Sequence, residues 1–218
     1  MEPSTRYADL TLGEFEDHLA SAQPVPGGGS ASAIAGSMAA SLLAMVSRLS
    51  ADRPKYADYA TTHASALEVA EAARARLLEL ADDDARAYAA FGAARKMPHE
   101  TEAEQQARDA ATQEAARQAS EVPLAVVQEC AEVMVAVEAM TGRSNLNASS
   151  DLEVAGRLAT AGARGAAANV MINLPSVGDE SFAGATTAEV TQLLETIDRL
   201  GAQISQRVAA GTLREPEA

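Results

Sequence analysis

From Ser30 to Ser47 the chain carries no charged residue, and this run limits the possible folds more than any other. Ile34, Met38, Leu42, Met45 and Leu49 recur at helical spacing, which predicts a helix from about Ser30 to Ser50. In length the run imitates a membrane span. Ser30, Ser32, Gly36, Ser37, Ser41 and Ser47 make it too polar for lipid, so a buried helix of a soluble domain is expected. Ser32, Gly36 and Ala40, at i, i+4 and i+8, form a ridge of small residues that another backbone can approach closely.

The same economy of side chains extends over the whole sequence. Alanine supplies the largest share of the apolar residues, aromatics make up 3% and tryptophan is absent. Thin, tightly packed helices follow, each burying modest area, so burial must come from many helices or from a partner subunit. No alternating strand pattern, dinucleotide fingerprint or internal repeat is present. The 218 residues are therefore expected to form one all-α domain, a bundle of about seven helices with long central ones.

Capping boxes at Thr11–Glu14, Ser150–Glu153 and Thr186–Glu189 are expected to open helices. A long helix is expected from about Lys55 to Met97, and a polar one between His99 and Glu121. Pro123 then opens another that Gly142 closes, and residues 213–218 fray.

A formal charge of −14 and a pI near 4.6 repel nucleic-acid phosphates and anionic lipid, so neither is an expected partner. The lone Cys130 sits in an apolar run and is expected to be buried and structural. The N-terminus lacks the pattern of a signal peptide, and a cytoplasmic location is expected.

Three features carry chemistry. Gly27-Gly28-Gly29-Ser30, after Pro26, feeds a helix N-terminus, where successive N–H groups and the helix dipole can hold a carboxylate or carbonyl oxygen. The alternative is a tight turn with unusual dihedrals. Asp84 shares a helix face with Leu77, Leu80 and Phe91, so its carboxylate must be paired, neutralised or put to work, whereas Asp82 and Asp83 point elsewhere into solvent. Asn145, Asn147, Ser150 and Asp151, with Asn169 and Asn173 one turn apart, suit the lining of a polar pocket. Capping accounts for Ser150 but not for amides set among alanines.

His18, His63 and His99 are isolated, and neither a metal-ligand pattern nor a nucleophile elbow is found, so no metal is expected. Asp, Asn, Ser and backbone N–H remain, groups that serve acid–base and electrostatic catalysis on a small polar substrate.

These segments, with Pro54-Lys55-Tyr56, Val122-Pro123-Leu124 and Asn169-Val170-Met171-Ile172-Asn173-Leu174, resemble the cyclodeaminase/cyclohydrolase family. That family comprises the cyclodeaminase domain of formiminotransferase-cyclodeaminase and its stand-alone relatives, including methenyltetrahydrofolate cyclohydrolases. The resemblance runs from about Leu10 to beyond Leu174 and implies an all-helical homodimer, a tetrahydrofolate substrate and no cofactor. It casts Asp84 as the carboxylate that steadies an amidinium cation and moves its proton, with Asp151 as second candidate. Asn145, Asn147, Asn169 and Asn173 would hydrogen-bond the pterin or orient the reacting carbon, Gly27–Ser30 would grip an anionic or carbonyl part, and Lys55 with Arg48 or Arg53 would meet the glutamate tail. It leans to the formiminotetrahydrofolate cyclodeaminase reaction over the cyclohydrolase. The rival is a non-catalytic helical folate-binding or assembly protein.

Overall fold

The computed structural model describes residues 6–216, and among them there are helices and turns but no strand. Six α-helices follow in order: α1 (Leu12–Leu19), α2 (Gly28–Ala51), α3 (Ala60–Ala94), α4 (Glu102–Met140), α5 (Ser149–Asn173) and α6 (Glu180–Ala210). α2 and α4 stand diagonally across a four-helix square, each packing on α3 and α5, and α6 lies against α4 and α5. The Ser37 hydroxyl meets the Arg74 carbonyl and Ser30 meets Ala81, so α3 runs antiparallel to α2. α5 also runs antiparallel to α2, because Asn145 meets Ser50 while Gly162 abuts Ser32.

Small residues set the spacing of this square. A Cβ on Gly162 would lie 2.7 Å from the Ser32 carbonyl, and one on Gly36 would lie 2.8 Å from Cys130 Sγ. The ridge of small residues on α2 is thus where α5 comes closest. α2 is long and apolar enough to cross a membrane by composition, yet most of that window is buried inside the bundle. Cys130 is fully buried beside it, and burial pushes its thiol pKa up to about 12.

Six α-helices replace the expected seven because α4 runs unbroken through Pro123. A proline inside a helix removes one bond to the carbonyl four residues back. Here that carbonyl, on Ala119, accepts instead from Asn173 Nδ2 at 2.6 Å.

Other boundaries move for local reasons. The Thr11–Glu14 capping box forms, and a second forms at Thr101–Glu104. Ser150 caps nothing: a 3-10 turn over Leu146–Ala148 runs straight into α5, with Ala148 at its N-cap. α6 begins at Glu180, where the Asp179 carboxylate accepts the Phe182 N–H at 3.0 Å, and this leaves Thr186 buried inside the helix. The long helix expected from Lys55 starts at Ala60, after a 3-10 turn over Pro54–Tyr59.

The expected frayed tail is docked through Glu215. Arg214 pairs with Glu138 at 3.0 Å, its N–H reaches the Gly142 carbonyl, and its own carbonyl accepts from the Tyr59 hydroxyl. Residues 217–218 lie outside the described residues.

Candidate active site

At the N-terminus of α2 the glycine turn and the Asp84 carboxylate meet. Asp84 Oδ2 accepts the Ser30 N–H at 2.9 Å and the Ser30 hydroxyl lies 3.0 Å from the same oxygen. The carboxylate therefore occupies the anion-binding position of α2 itself. Only glycine fits at position 29, because a Cβ there would stand 2.5 Å from Asp84 Cγ and 2.7 Å from Oδ2. Burial raises the Asp84 pKa above the ordinary carboxylate value, and the two Ser30 bonds oppose that rise without cancelling it.

Asp84 opens onto a cavity of about 460 Å³, within the range of roughly 300–1,000 Å³ common for small-molecule sites. Pro24, Val25, the three glycines Gly27, Gly28 and Gly29, Ala119, Asn169 and Asn173 form part of its wall. Tyr88, Phe91 and Arg95 continue the wall along α3. Asn169 Nδ2 donates to the Gly165 carbonyl at 2.9 Å, and Asn173 Nδ2 donates to Ala119. With those amide donors engaged, each Oδ1 is available to accept from a ligand. Ile172, 75% exposed, is an apolar side chain at the cavity rim.

Tyr88, Phe91 and Arg95 were not singled out as site residues from the sequence. The signal was present, since positions 84, 88, 91 and 95 share one face of a helix. Asp82 also departs from expectation. Instead of facing solvent it is 8% exposed, accepts the Tyr7 N–H at 2.9 Å and lies 3.8 Å from Arg6. Asp83 is half-buried and paired with Arg86 and Arg76. The Tyr7 hydroxyl is held protonated to higher pH by burial and by the nearby Asp82 and Asp84 carboxylates.

The sequence-derived residues do not form one site within the chain. Gly27, Gly28, Gly29, Ser30, Asp84, Asn169 and Asn173 gather at the start of α2. Lys55, Asn145, Asn147, Ser150 and Asp151 lie at its far end, where the Asn145 N–H donates to Ser50 Oγ and the Leu146 N–H to the Tyr56 hydroxyl. α2 is 24 residues long, so roughly 36 Å separates the two groups. That distance removes Asp151 as a second carboxylate for the same chain's cavity. Arg48 is committed to Glu71 at 2.7 Å, and Lys55 stacks over Tyr56 at 5.4 Å. No three His, Cys, Asp or Glu side chains among the described residues converge as a metal site.

Methenyltetrahydrofolate cyclohydrolase of Methylorubrum extorquens is 38% identical over 198 residues, 91% of this chain and 95% of that protein. Formimidoyltransferase-cyclodeaminase of Sus scrofa is 34% identical over 95% of this chain, which spans 38% of that longer protein. Among solved structures, formiminotetrahydrofolate cyclodeaminase from Thermotoga maritima superposes with a TM-score of 0.84 at 28% identity, covering 93% of this chain and 98% of that one. The sequence pattern of formiminotransferase-cyclodeaminase matches residues 11–192, and with these relatives it shows that the chain belongs to the formiminotransferase-cyclodeaminase family.

Proposed function

We propose that this chain is a methenyltetrahydrofolate cyclohydrolase, opening 5,10-methenyltetrahydrofolate with water to 10-formyltetrahydrofolate. The observation that carries the chemistry is Asp84, a partly desolvated carboxylate on the wall of a cavity of suitable size. The lean toward deamination at the sequence level yields to the 38% identity with a cyclohydrolase across 95% of that relative.

The substrate carries a delocalised N5–C–N10 amidinium cation, and the Asp84 carboxylate stabilises it electrostatically. Water adds to the central carbon as Asp84 takes one of its protons, giving a neutral tetrahedral carbinol. Asp84 returns that proton to N5 as the C–N5 bond breaks. The hydroxyl proton leaves to solvent as the formyl C=O forms on N10. One water is consumed and one proton released, with no change of oxidation state. A raised carboxylate pKa suits this exchange, because the group must both accept and return a proton near neutral pH. Asn169 and Asn173 accept from the pterin N–H groups, and Tyr88 with Phe91 supports the flat rings.

The second reading is the cyclodeaminase, favoured by the Thermotoga maritima enzyme, 98% of whose chain is matched by this one. There N10 attacks the carbon of the protonated formimino group of 5-formiminotetrahydrofolate and gives its proton to the same carboxylate, which returns it to the amine as ammonia departs and the methenyl cation forms. Offering each substrate separately and following methenyltetrahydrofolate absorbance decides between them. Catalysed loss of the methenyl signal establishes the cyclohydrolase. Its appearance from the formimino compound, with ammonia, establishes the deaminase. Silence in both, with no folate-dependent rise in melting temperature, returns the chain to the assembly-protein reading.

A further inference from the structure

Tyr7 stands beside Ser30 and Asp84 without lining the cavity. It opens a 3-10 turn, Tyr7–Asp9, ahead of α1. Its N–H donates to Asp82 Oδ1 at 2.9 Å, and Arg6 lies 3.8 Å from the other oxygen of that carboxylate. Its ring meets the buried Phe15 edge-on, with 5.7 Å between centroids. Tyr7 is thus pinned to α3 through its main chain and to α1 through its ring. The hydroxyl at the far end of that ring meets the Ser30 side chain, with the Asp82 and Asp84 carboxylates close by.

Counting protons shows what a hydroxyl does there. Ser30 Oγ carries one proton and has two acceptors in reach, the Ala81 carbonyl at 2.9 Å and Asp84 Oδ2 at 3.0 Å. The Ala81 carbonyl lies inside α3 and has the helical N–H four residues along. A charged acceptor makes the stronger bond, so the ionised Asp84 takes the Ser30 proton. A lone pair of Ser30 Oγ is then left for a donor, and the Tyr7 O–H supplies one. Burial and the two carboxylates keep the phenol protonated, and therefore a donor. Asp84 Oδ2 receives both Ser30 bonds, whereas Oδ1 accepts none from the described residues.

On the folate reading above, we propose that Tyr7 is a positioning residue for Asp84. A chain from the Tyr7 O–H through the Ser30 O–H to Asp84 Oδ2 fixes the carboxylate and reserves Oδ1 for the reacting water. Rotation about Cβ–Cγ would exchange the two oxygens, and the Ser30 bonds prevent it. The proton taken from water goes onto Oδ1 and leaves for N5 from the same atom, while Oδ2 stays bonded to Ser30. Each donor in such a chain polarises the next, so Tyr7 strengthens the Ser30 bond and favours the charged carboxylate against burial.

Few other charges reach Asp84. The cavity wall carries one, Arg95, about three turns along α3, and α2, α4 and α5 present no charged side chain there. Beside Asp84 on α3, Asp82 is paired with Arg6, and Asp83 with Arg76 and Arg86. The acidic limb of kcat/KM against pH therefore reads Asp84 and its bonds. Tyr7→Phe removes the hydroxyl and keeps the ring against Phe15. It is expected to lower kcat about three- to tenfold with KM held, the loss of one hydrogen bond in a network. The acidic limb is expected to move to higher pH, because a carboxylate with a weaker donor yields to burial and takes its proton sooner. A merely structural role would lower the melting temperature and leave the limb in place. Wild-type kcat with an unmoved limb, whatever the melting temperature, overturns the proposal and leaves the folate reading intact.

A titration without substrate tests the chain apart from turnover. The carboxyl carbon of isotope-labelled Asp84, assigned by its loss in Asp84→Asn, is followed by NMR against pH in the wild type and in Tyr7→Phe. The midpoint is expected to lie at higher pH in the variant. Coincident curves overturn the proposal, whatever the protein turns over. A raised midpoint in a protein active on neither folate supports the chain from Tyr7 to Asp84 while sinking the functional reading.

Discussion

Asn173 donates its side-chain amide to the Ala119 carbonyl at 2.6 Å, and that carbonyl is the one Pro123 leaves without a helical donor. A motif on α4 and an asparagine at the end of α5 thus form a single device. Pro123→Ala supplies the missing N–H four residues along, which competes for Ala119 and releases Asn173. The helix gains, because proline in a helix interior disfavours it by about 3 kcal/mol relative to alanine. Melting temperature is expected to hold or rise while kcat/KM falls by about tenfold. Steady-state kinetics alongside thermal denaturation checks the pair, and unchanged kcat/KM would mean that Asn173 needs no fixing.

Asp84→Asn separates catalysis from stability. Burial keeps the Asp84 proton on the folded chain to higher pH than on the unfolded one. Between the ordinary carboxylate pKa and that raised value the folded state binds more protons, so stability falls as pH rises through the window. The amide removes this loss and still accepts the Ser30 N–H. At pH 7 the variant is expected to melt about 1–3 °C above wild type, the gap closing as pH falls toward about 4. Its turnover is expected to drop at least about a hundredfold. A lower melting temperature at pH 7 would contradict the burial argument.

Gly29→Ala acts on the same carboxylate by contact alone. The new methyl would sit 2.5 Å from Asp84 Cγ, so the side chain must swing away and give up its Ser30 bonds. Turnover is expected to fall about a hundredfold with the helical content kept. Gly184→Ala, where a Cβ meets nothing within 4 Å, is the control. It is expected to stabilise α6 by about 0.5–1 kcal/mol and leave kinetics alone.

Arg95 is a binding prediction of a different kind. It stands on the cavity wall with its guanidinium 5.9 Å from the Phe91 ring, away from the Asp84 carboxylate by about three helical turns. On the proposed folate reading, an exposed cation there would meet the carboxylates of the folate tail, a part of the substrate that does not react. Arg95→Gln is expected to raise KM by about tenfold with kcat held, the signature of lost uniform binding. A fall in kcat at constant KM would place Arg95 in the chemistry instead.

Asp84, the glycine turn and the pair Asn169 and Asn173 were legible because each broke a local rule of the sequence. They are a carboxylate on an apolar face, three glycines before a serine, and amides among alanines. The all-α class was legible from periodicity. What periodicity does not encode is direction in space. Asn145, Asn147, Ser150 and Asp151 break the same kind of rule, yet α5 runs antiparallel to α2, which carries them to the opposite end of the bundle. Pro123 misled for a related reason. A proline stops a helix unless something distant takes the orphaned carbonyl, and Asn173 lies 50 residues away. The docked Arg214 is likewise a tertiary event, invisible in a tail of mixed composition.

The close approach of α5 to α2 holds the site to its dimensions, and Gly162 is where that can be measured. A Cβ there would lie 2.7 Å from the Ser32 carbonyl and 3.2 Å from the Gly36 nitrogen, both backbone atoms that cannot rotate away. Gly162→Ala must therefore part the two helices, an overpacking that costs about 1–3 kcal/mol. In a domain of this size about 2–4 °C of melting temperature is lost per kcal/mol, so a fall of about 2–12 °C is expected. Parting the helices at Gly162 also withdraws Asn169, two turns along α5, from Gly28, whose Cβ position lies 3.8 Å from its Nδ2. The loss should appear in KM as well as in the melt, and Ser32→Gly does not relieve it, because the clash is with main chain. A Gly162→Ala protein with wild-type melting temperature and KM would show that the helix spacing has slack that the glycines do not need to protect.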